Sequence, residues 1–239
     1  MQLPLALPSP LTQRFESYLY PPQGAIEHLS TLARGQARDC IFLVGPPSSG
    51  KTHLAIATCT LAQQQGRLAA YIPLQATLGR LGEALHGLDH YNLIVLDGLD
   101  ALVGVESDEF DLFAFHNRVR SWHIPVLYTG VHAPAHLALH LPDLRSRLGQ
   151  CTQIFLNELS DEGRAAVLLA RAQQRGLHLE STAIDWLLAH SVRDLSVLLE
   201  MLDHLDRASL AAKRRITLPF LRSIYTKHYA KQADAKKPL

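Results

Sequence analysis

Residues 45–52 read Gly45-Pro46-Pro47-Ser48-Ser49-Gly50-Lys51-Thr52, which fits the pattern G-x-x-x-x-G-K-[ST] at every position. An apolar run precedes this stretch as a buried strand would, and a run compatible with a helix, from His53 to about Gln64, follows it. The glycines allow backbone N–H groups to turn inward around phosphates, and the start of the helix favours an anion. The stretch therefore predicts a phosphate-binding loop between a strand and a helix, with His53 among the nucleotide contacts.

The predicted loop also implies a binding site for a divalent cation. Lys51 is placed to reach the β- and γ-phosphates, and Thr52 is placed to hold Mg²⁺. A second apolar run, residues 93–96, ends in the acid Asp97. A carboxylate at the end of a buried strand next to such a loop holds Mg²⁺ directly or through water. Thr52 and Asp97 are therefore the predicted magnesium ligands.

The residue after Asp97 bears on how this site would work. Many nucleotide hydrolases carry a glutamate there that polarises the attacking water, but here the residue is Gly98. Asp100 lies nearby, displaced along the chain. Without a positioned base, bound nucleotide should turn over slowly. The glycine favours a nucleotide-responsive adaptor over a motor.

The composition of the chain limits the class of protein to which it can belong. The chain has 239 residues, of which 47% are hydrophobic and 19% charged, and a formal net charge of +1. These values are typical of a globular protein with one large or two modest domains, and they indicate no general affinity for nucleic acid or membranes. The three cysteines show no metal-binding spacing, which favours buried thiols in a reducing compartment. We find no secretory signal and no apolar stretch that could span a bilayer, so we expect a cytoplasmic protein.

The hydrophobic pattern predicts an α/β protein. Near-continuous apolar strands alternate with helical segments, which indicates a five-stranded parallel sheet covered on both faces. The predicted strands are 41–44, 69–72, 93–96, 126–129 and 153–156. After Leu159 only helices are predicted, at 161–175, 182–190, 194–212 and 218–228.

This pattern predicts four regions. They are an extended tail at 1–12, an α/β nucleotide-binding domain at 13–157, a helical lid domain at 158–230 and a disordered basic tail at 231–239. The first tail contains three prolines, which exclude a regular helix there. The leucines of the segment 194–212 recur on one helix face, which indicates core packing.

A phosphate-binding loop, an aspartate-ended strand and a helical lid together resemble the AAA+ family. Three further segments are similar to parts of the bacterial initiator DnaA and its relatives. They are the upstream linker Phe15-Glu16-Ser17-Tyr18-Leu19, the arginine-finger segment Leu141-Pro142-Asp143-Leu144-Arg145-Ser146-Arg147-Leu148 and the second sensor Ser191-Val192-Arg193-Asp194-Leu195. Within that group the chain most resembles the Hda family, the regulatory inactivators of DnaA, because of residues 205–209 and 216–220 and its N-terminus.

The resemblance implies roles for single residues. Arg147 would act in trans on nucleotide bound to a neighbouring DnaA molecule, unless it is a surface arginine that is paired with Asp143 or solvated. Arg193 would reach the phosphates of this protein's own nucleotide, unless it pairs with a nearby acid. A further set could either pack around the adenine or fix the tail to the core: Phe15, Tyr18 and Leu19.

The N-terminal segment is similar to the short peptide by which replication proteins bind the sliding clamp. The residues that carry this similarity are Gln2, Leu3, Leu5 and Leu7. The glutamine would enter a small polar pocket, and the leucines would enter an adjacent apolar groove. An extended, proline-containing tail loses less entropy on docking.

The resemblance therefore implies an adaptor that binds ADP or ATP with Mg²⁺, docks on the DNA polymerase III sliding clamp and stimulates ATP hydrolysis by DnaA. This activity would prevent a second round of replication initiation; a homodimer is possible. An autonomous ATPase that loads or remodels a replication component, and a scaffold that binds nucleotide only to fold, remain alternatives. The chain departs from the initiators at two points: only Thr129 is polar at the first-sensor position, and the interval 73–92 has room for little more than one helix. The second departure favours DNA contact only through the clamp.

Overall fold

The computed structural model describes residues 13–177, 179–191, 194–212 and 216–228. The predicted clamp-binding tail, Arg193 and the predicted basic tail lie outside these ranges. The strands are β1 (Cys40–Val44), β2 (Ala69–Pro73), β3 (Leu93–Asp97), β4 (Val126–Gly130) and β5 (Thr152–Phe155). The helices are α1 (Ala25–Ala33), α2 (Lys51–Gln64), α3 (Leu81–Ala84), α4 (Glu106–Ser121), α5 (Pro142–Gly149), α6 (Asp161–Gln174), α7 (Ser181–His190), α8 (Leu195–Ala212) and α9 (Leu218–His228).

The five strands form one parallel sheet in the order β2-β3-β4-β1-β5. Strand β1 pairs with β4 and β5, and Val44 lies opposite Gly130 and Phe155. Both β1 and β4 are buried along their whole length, which explains why β1 is a continuous apolar run rather than an alternating one. The predicted parallel α/β fold is confirmed.

Alternate residues of the strands face two separate cores. Phe42 and Tyr128 point into the core that also contains the buried residues of α4 and α5. Ile41 and Leu43 point into the other core, which contains the buried residues of α1 and α2. All four side chains are less than 5% exposed. The sheet is therefore covered on both faces, and the carboxyl ends of its strands are left to form the site.

The interval between β2 and β3 has room for little more than one helix, as its length suggested. It contains the four-residue helix α3 between two 3₁₀ turns, Leu74–Ala76 and Leu88–His90. Three glycines in or near these elements limit a longer helix, because glycine is a poor helix former.

The chain folds into two compact units that meet between Glu158 and Leu159 in the sequence. Within the described residues, the second unit is helical and has its own apolar core. Its first helix, α6, begins after Ser160, whose Oγ accepts a hydrogen bond from the backbone N of Gly163 at 3.2 Å. Leu198, Leu202 and Leu205 are buried on one face of α8, as the leucine spacing predicted. None of the helices in the described ranges combines the length and the apolar character that crossing a membrane requires.

Candidate nucleotide-binding site

The loop predicted to bind phosphate joins β1 to α2, and its backbone conformation depends on glycine. Gly50 has φ +90°, and Ser48 also has a positive φ, +61°. A Cβ atom at Gly50 would lie 2.5 Å from Cε2 of Tyr18. An L-residue at position 50 would therefore be strained in its backbone and would collide with a ring.

Lys51 folds back over this loop. Its Nζ donates hydrogen bonds to the carbonyl oxygens of Gly45 at 2.6 Å and Pro46 at 2.8 Å. Burial lowers the pKa of the Lys51 ammonium, while the negative charges of Asp100 and Asp97 act in the opposite direction. A partly desolvated cation bound only to neutral carbonyls fits a site that accepts an anion.

Asp97 ends β3 and is held by three hydroxyl groups. Its Oδ2 accepts hydrogen bonds from Thr52 Oγ1 at 2.8 Å and Tyr71 OH at 2.7 Å, and its Oδ1 accepts one from Thr129 Oγ1 at 2.5 Å. Burial, and secondarily Asp97, raise the pKa of Tyr71, which keeps that phenol protonated as a donor. The structure thus brings the two predicted magnesium ligands, Thr52 and Asp97, into direct contact. Two hard oxygen ligands at this spacing fit a Mg²⁺ ion that also contacts nucleotide phosphates.

Thr129 and Asp100 lie near Gly98, the position at which many nucleotide hydrolases carry a water-activating glutamate. Both residues are engaged in other hydrogen bonds. Thr129 is fully buried and accepts a hydrogen bond from the Gly98 backbone N at 2.9 Å while it donates to Asp97. Asp100 accepts hydrogen bonds from the backbone N of His132 at 3.2 Å and of Val131, and its Oδ1 lies 2.8 Å from His132 Nδ1. Thr129 therefore orients the acid at the end of β3, and Asp100 holds the loop after β4.

The linker upstream of the loop packs against α2. Tyr18 OH donates to the carbonyl of Ser49 at 2.8 Å, and burial raises the pKa of this phenol to about 12. His53 Nε2 lies 3.3 Å from Ser17 Oγ, and the rings of Tyr18 and His53 meet edge to face. Phe15 and Tyr18 also pack against the core on the α2 side of the sheet, and Leu19 is half-buried. The linker is thus fixed to the core, while its predicted contact with adenine stays a prediction.

Ser49 provides a further test of whether the loop fits a phosphate. Its Oγ is buried and has no hydrogen-bond partner within the described part of the chain. Buried hydroxyls are nearly always paired, so an unpaired one at this place fits a ligand oxygen. The donor set of the loop is therefore suited to a nucleotide.

Arg147 lies on the exposed face of α5, whose opposite face is buried through Leu144 and Leu148. The ion pairs of the described residues do not include one between Arg147 and Asp143. The start of α5 is anchored because Glu109 Oε2 accepts a hydrogen bond from the backbone N of Leu141 at 2.9 Å. The role of Arg147 towards a neighbouring molecule stays a prediction.

The helical unit matches a known protein family. Residues 161–225 match the Hda lid-domain family. The chain therefore has the AAA+ fold, and its helical unit matches an Hda-type lid. It superposes on domain III of DnaA from Thermotoga maritima with a TM-score of 0.78 and 16% identity, covering 91% of this chain and 97% of that one.

Two other solved structures share the AAA+ fold. AMPPCP-bound DnaA from Aquifex aeolicus gives a TM-score of 0.65 at 19% identity, with 80% of this chain and 65% of that chain covered. The RuvB Holliday junction branch migration motor from Thermotoga maritima gives 0.63 at 17% identity, with 90% and 72% covered. The expected AAA+ fold is confirmed, and the match of residues 161–225 supports the expected resemblance to Hda in the lid.

Sequence reasoning missed several residues of this AAA+ protein that shape the site. Tyr71 supports Asp97, the pair Asp100 and His132 fixes the loop after β4, and Glu109 anchors α5. Tyr71 carried a readable signal, because it is a polar residue within β2, the strand that neighbours β3. The other contacts join segments about 30 positions apart, and no local pattern marks them.

Proposed function

We propose that this protein is a nucleotide-bound AAA+ adaptor that negatively regulates replication initiation by stimulating ATP hydrolysis on DnaA. One observation carries the proposal: the elements that would hold a magnesium nucleotide are assembled, whereas the position after Asp97 is a glycine and Asp100 is engaged by His132. Such a site can bind nucleotide, but among the described residues it has no carboxylate placed to activate water. The relation to DnaA and Hda supports a role in replication.

The nucleotide would be ADP or ATP with Mg²⁺. The phosphates would lie on the backbone of residues 45–50, Lys51 would contact the terminal phosphates, and Thr52 with Asp97 would hold the metal. The AMPPCP complex of a DnaA with the same fold supports an adenine nucleotide. Arg193 would contact this nucleotide from the lid, and the linker residues Phe15, Tyr18 and Leu19 with His53 would border it.

Arg147 would act on nucleotide bound to DnaA. An arginine supplied in trans stabilises the charge that develops on the transferred phosphoryl group and can contribute about 10³–10⁵ in rate. Its exposed place on an anchored helix supports this role, because a rigid helix positions a side chain more accurately than a loop.

The segment Gln2–Leu7 would bind the DNA-loaded sliding clamp. Short peptides usually bind with dissociation constants on the order of micromolar, and tethering to a second contact raises the effective affinity. Replacing Gln2 by Ala should abolish retention on immobilised clamp and leave ADP affinity unchanged. Undiminished retention would remove the tail from the mechanism.

The deciding experiment follows the decay of ATP bound to DnaA with loaded clamp and this protein. We expect Arg147→Ala to lose the stimulation while its own ADP affinity and melting temperature stay unchanged. Arg145→Ala, on the same helix, serves as the comparison. Full stimulation by Arg147→Ala would refute the trans role, and brisk turnover by the isolated protein that Asp97→Ala abolishes would favour an autonomous ATPase.

A further inference from the structure

A polar cavity of about 380 Å³ lies at the amino ends of the strands. Arg38 and Arg67 each stand two positions before a strand, β1 and β2, and Asn92 and Ile124 precede β3 and β4. In a parallel sheet these positions share one edge, opposite the edge at which the phosphate-binding loop follows β1. We call this feature the amino-edge cavity, and it is separate from the nucleotide site.

The amino-edge cavity concentrates positive charge. Arg34, Arg38 and Arg67 line it together with one carboxylate, Asp89. Across residues 13–177, no ion pair joins any of these arginines to an acid. The whole chain carries a formal net charge of only +1, so three guanidinium groups around one cavity are a local excess. Such a cluster attracts anions.

Arg67 is held in place before any ligand arrives. Its guanidinium donates to the carbonyl oxygens of Leu32 at 3.0 Å, Asn92 at 2.8 Å and Ala33. A Cβ at Gly35 would lie 2.6 Å from Arg67 Cζ, so the glycine allows the guanidinium to lie against the backbone. Burial lowers the pKa of Arg67. The hydrogen-bond partners of its guanidinium group are carbonyl oxygens rather than carboxylates. The cavity thus contains a fixed cation that, among the described residues, is not paired with a carboxylate.

The end of α4 adds an aromatic face and a strained residue. Trp122 lines the cavity and is 48% exposed. His123 follows with φ +56°, at the helix-terminating position where glycine costs least, and its backbone N donates to the Arg120 carbonyl at 3.2 Å. His123 also lines the cavity, beside the exposed indole.

We propose that the amino-edge cavity binds single-stranded nucleic acid. Guanidinium groups form paired hydrogen bonds with phosphate oxygens, and an exposed indole provides a stacking surface for a base. An acidic peptide would satisfy the arginines but would leave the ring without a flat partner, so nucleic acid is favoured. The inference goes beyond the proposed function and adds a direct contact with DNA or RNA that the sequence did not indicate.

Binding of a labelled oligothymidylate of about 15 nucleotides to the full chain, followed by fluorescence anisotropy with saturating ADP and Mg²⁺, tests the proposal. We expect binding to persist with the nucleotide site filled. The double variant Arg34→Ala/Arg38→Ala should bind at least about 10-fold more weakly at about 50 mM salt. For the double variant, the slope of the logarithm of the binding constant against the logarithm of the salt concentration should be shallower by about 1.4, which is about 0.7 for each lost cation. Arg207→Ala, an exposed arginine of the lid, is the matched control and should bind as the wild type does.

Trp122 gives an independent readout, because the chain contains only two tryptophans and Trp186 packs within the lid. The oligonucleotide should quench tryptophan fluorescence in the wild type but not in Trp122→Phe. Three outcomes would overturn the proposal: equal affinity of wild type and double variant, equal quenching in Trp122→Phe, or tighter binding of polyglutamate than of the oligonucleotide. A protein that binds inorganic phosphate but does not bind the oligonucleotide would overturn the proposal as well.

Discussion

Thr52 Oγ1 donates a hydrogen bond of 2.8 Å to Asp97 Oδ2, although the two residues lie 45 positions apart in the chain. The contact joins the first turn of α2 to the carboxyl end of β3. Tyr71 OH donates to the same carboxylate oxygen and Thr129 to the other one, so the carboxylate has a single orientation. This arrangement holds the two predicted magnesium ligands together beside the phosphate-binding loop.

Asp97→Asn tests the predicted metal position. An amide of the same shape keeps an oxygen but loses the charge that attracts Mg²⁺, so the Mg²⁺-dependent gain in ADP affinity should fall about 10- to 100-fold. Titration of a fluorescent ADP analogue with and without Mg²⁺ measures this gain. Thr52→Ser retains the hydroxyl and should behave as the wild type does. An unchanged Mg²⁺ dependence in Asp97→Asn would place the metal elsewhere.

Gly50→Ala tests the close approach of the linker to the loop. The added Cβ would lie 2.5 Å from the Tyr18 ring at a backbone φ of +90°. We expect a loss of about 2–3 kcal/mol of unfolding free energy, from strain and collision together, and a loss of ADP binding. Urea unfolding provides the measurement.

Gly66→Ala is the matched control for this collision. Gly66 has φ +70°, but nothing lies within 4 Å of an added Cβ. Its replacement should therefore cost only the backbone strain, about 1 kcal/mol. Equal losses in the Gly50 and Gly66 variants would show that Tyr18 does not restrict the loop.

His116 predicts a pH dependence of stability. Its Nδ1 lies 2.9 Å from the fully buried Tyr128 OH, and burial, with smaller effects of Arg120 and Arg147, lowers its pKa to about 4. The unfolded chain, with a histidine pKa of about 6.5, then binds more protons than the folded one between these values. The free energy of unfolding should therefore fall as pH drops from about 6.5 towards 4, by up to about 1.4 kcal/mol per pH unit.

His116→Gln separates this effect from general acid denaturation. Glutamine keeps a hydrogen-bonding group near Tyr128 but does not titrate. Urea unfolding at several pH values should show a shallower decline for the variant than for the wild type. Identical pH profiles would mean that the histidine is protonated in the folded protein as easily as in the unfolded one.

Much of the fold could be predicted because the decisive signals are local. The strand ending at Val44, the glycine pattern of the loop and the acid after Leu96 each lie within a few residues, and they placed the sheet and the candidate metal ligands. The predicted strand boundaries agree with the structure to within one residue. Central strands buried on both faces produce continuous apolar runs, which are strong signals.

The contacts that orient the site could not be predicted in the same way. Asp100 meets His132, and Glu109 meets Leu141, because the chain folds these segments together over a distance of 32 positions. A single sequence contains no pattern for such pairs. The amino-edge cavity was missed for the same reason: Arg38, Arg67 and Trp122 come from three separate connections that only a parallel sheet brings to one edge.

Two neighbouring acids of α4 provide a matched pair for testing how α5 is positioned. Glu109 and Asp108 are both 1% exposed. Glu109 accepts a hydrogen bond from the backbone N of Leu141 at the start of α5, whereas Asp108 accepts one from the backbone N of Gly79 at 2.7 Å, in a different loop. Removing either carboxylate leaves buried donors unpaired and should cost about 1–3 kcal/mol of unfolding free energy.

The two variants should differ in function, if the proposed role of Arg147 holds. Glu109→Ala should weaken stimulation of DnaA-bound ATP hydrolysis, because it releases the start of the helix that carries Arg147, and should leave ADP affinity unchanged. Asp108→Ala should lose similar stability and keep the stimulation. Measuring unfolding, ADP affinity and ATP decay on both proteins separates positioning from stability. Equal loss of stimulation in both variants would attribute the effect to stability alone, and would remove Glu109 as the residue that positions the arginine.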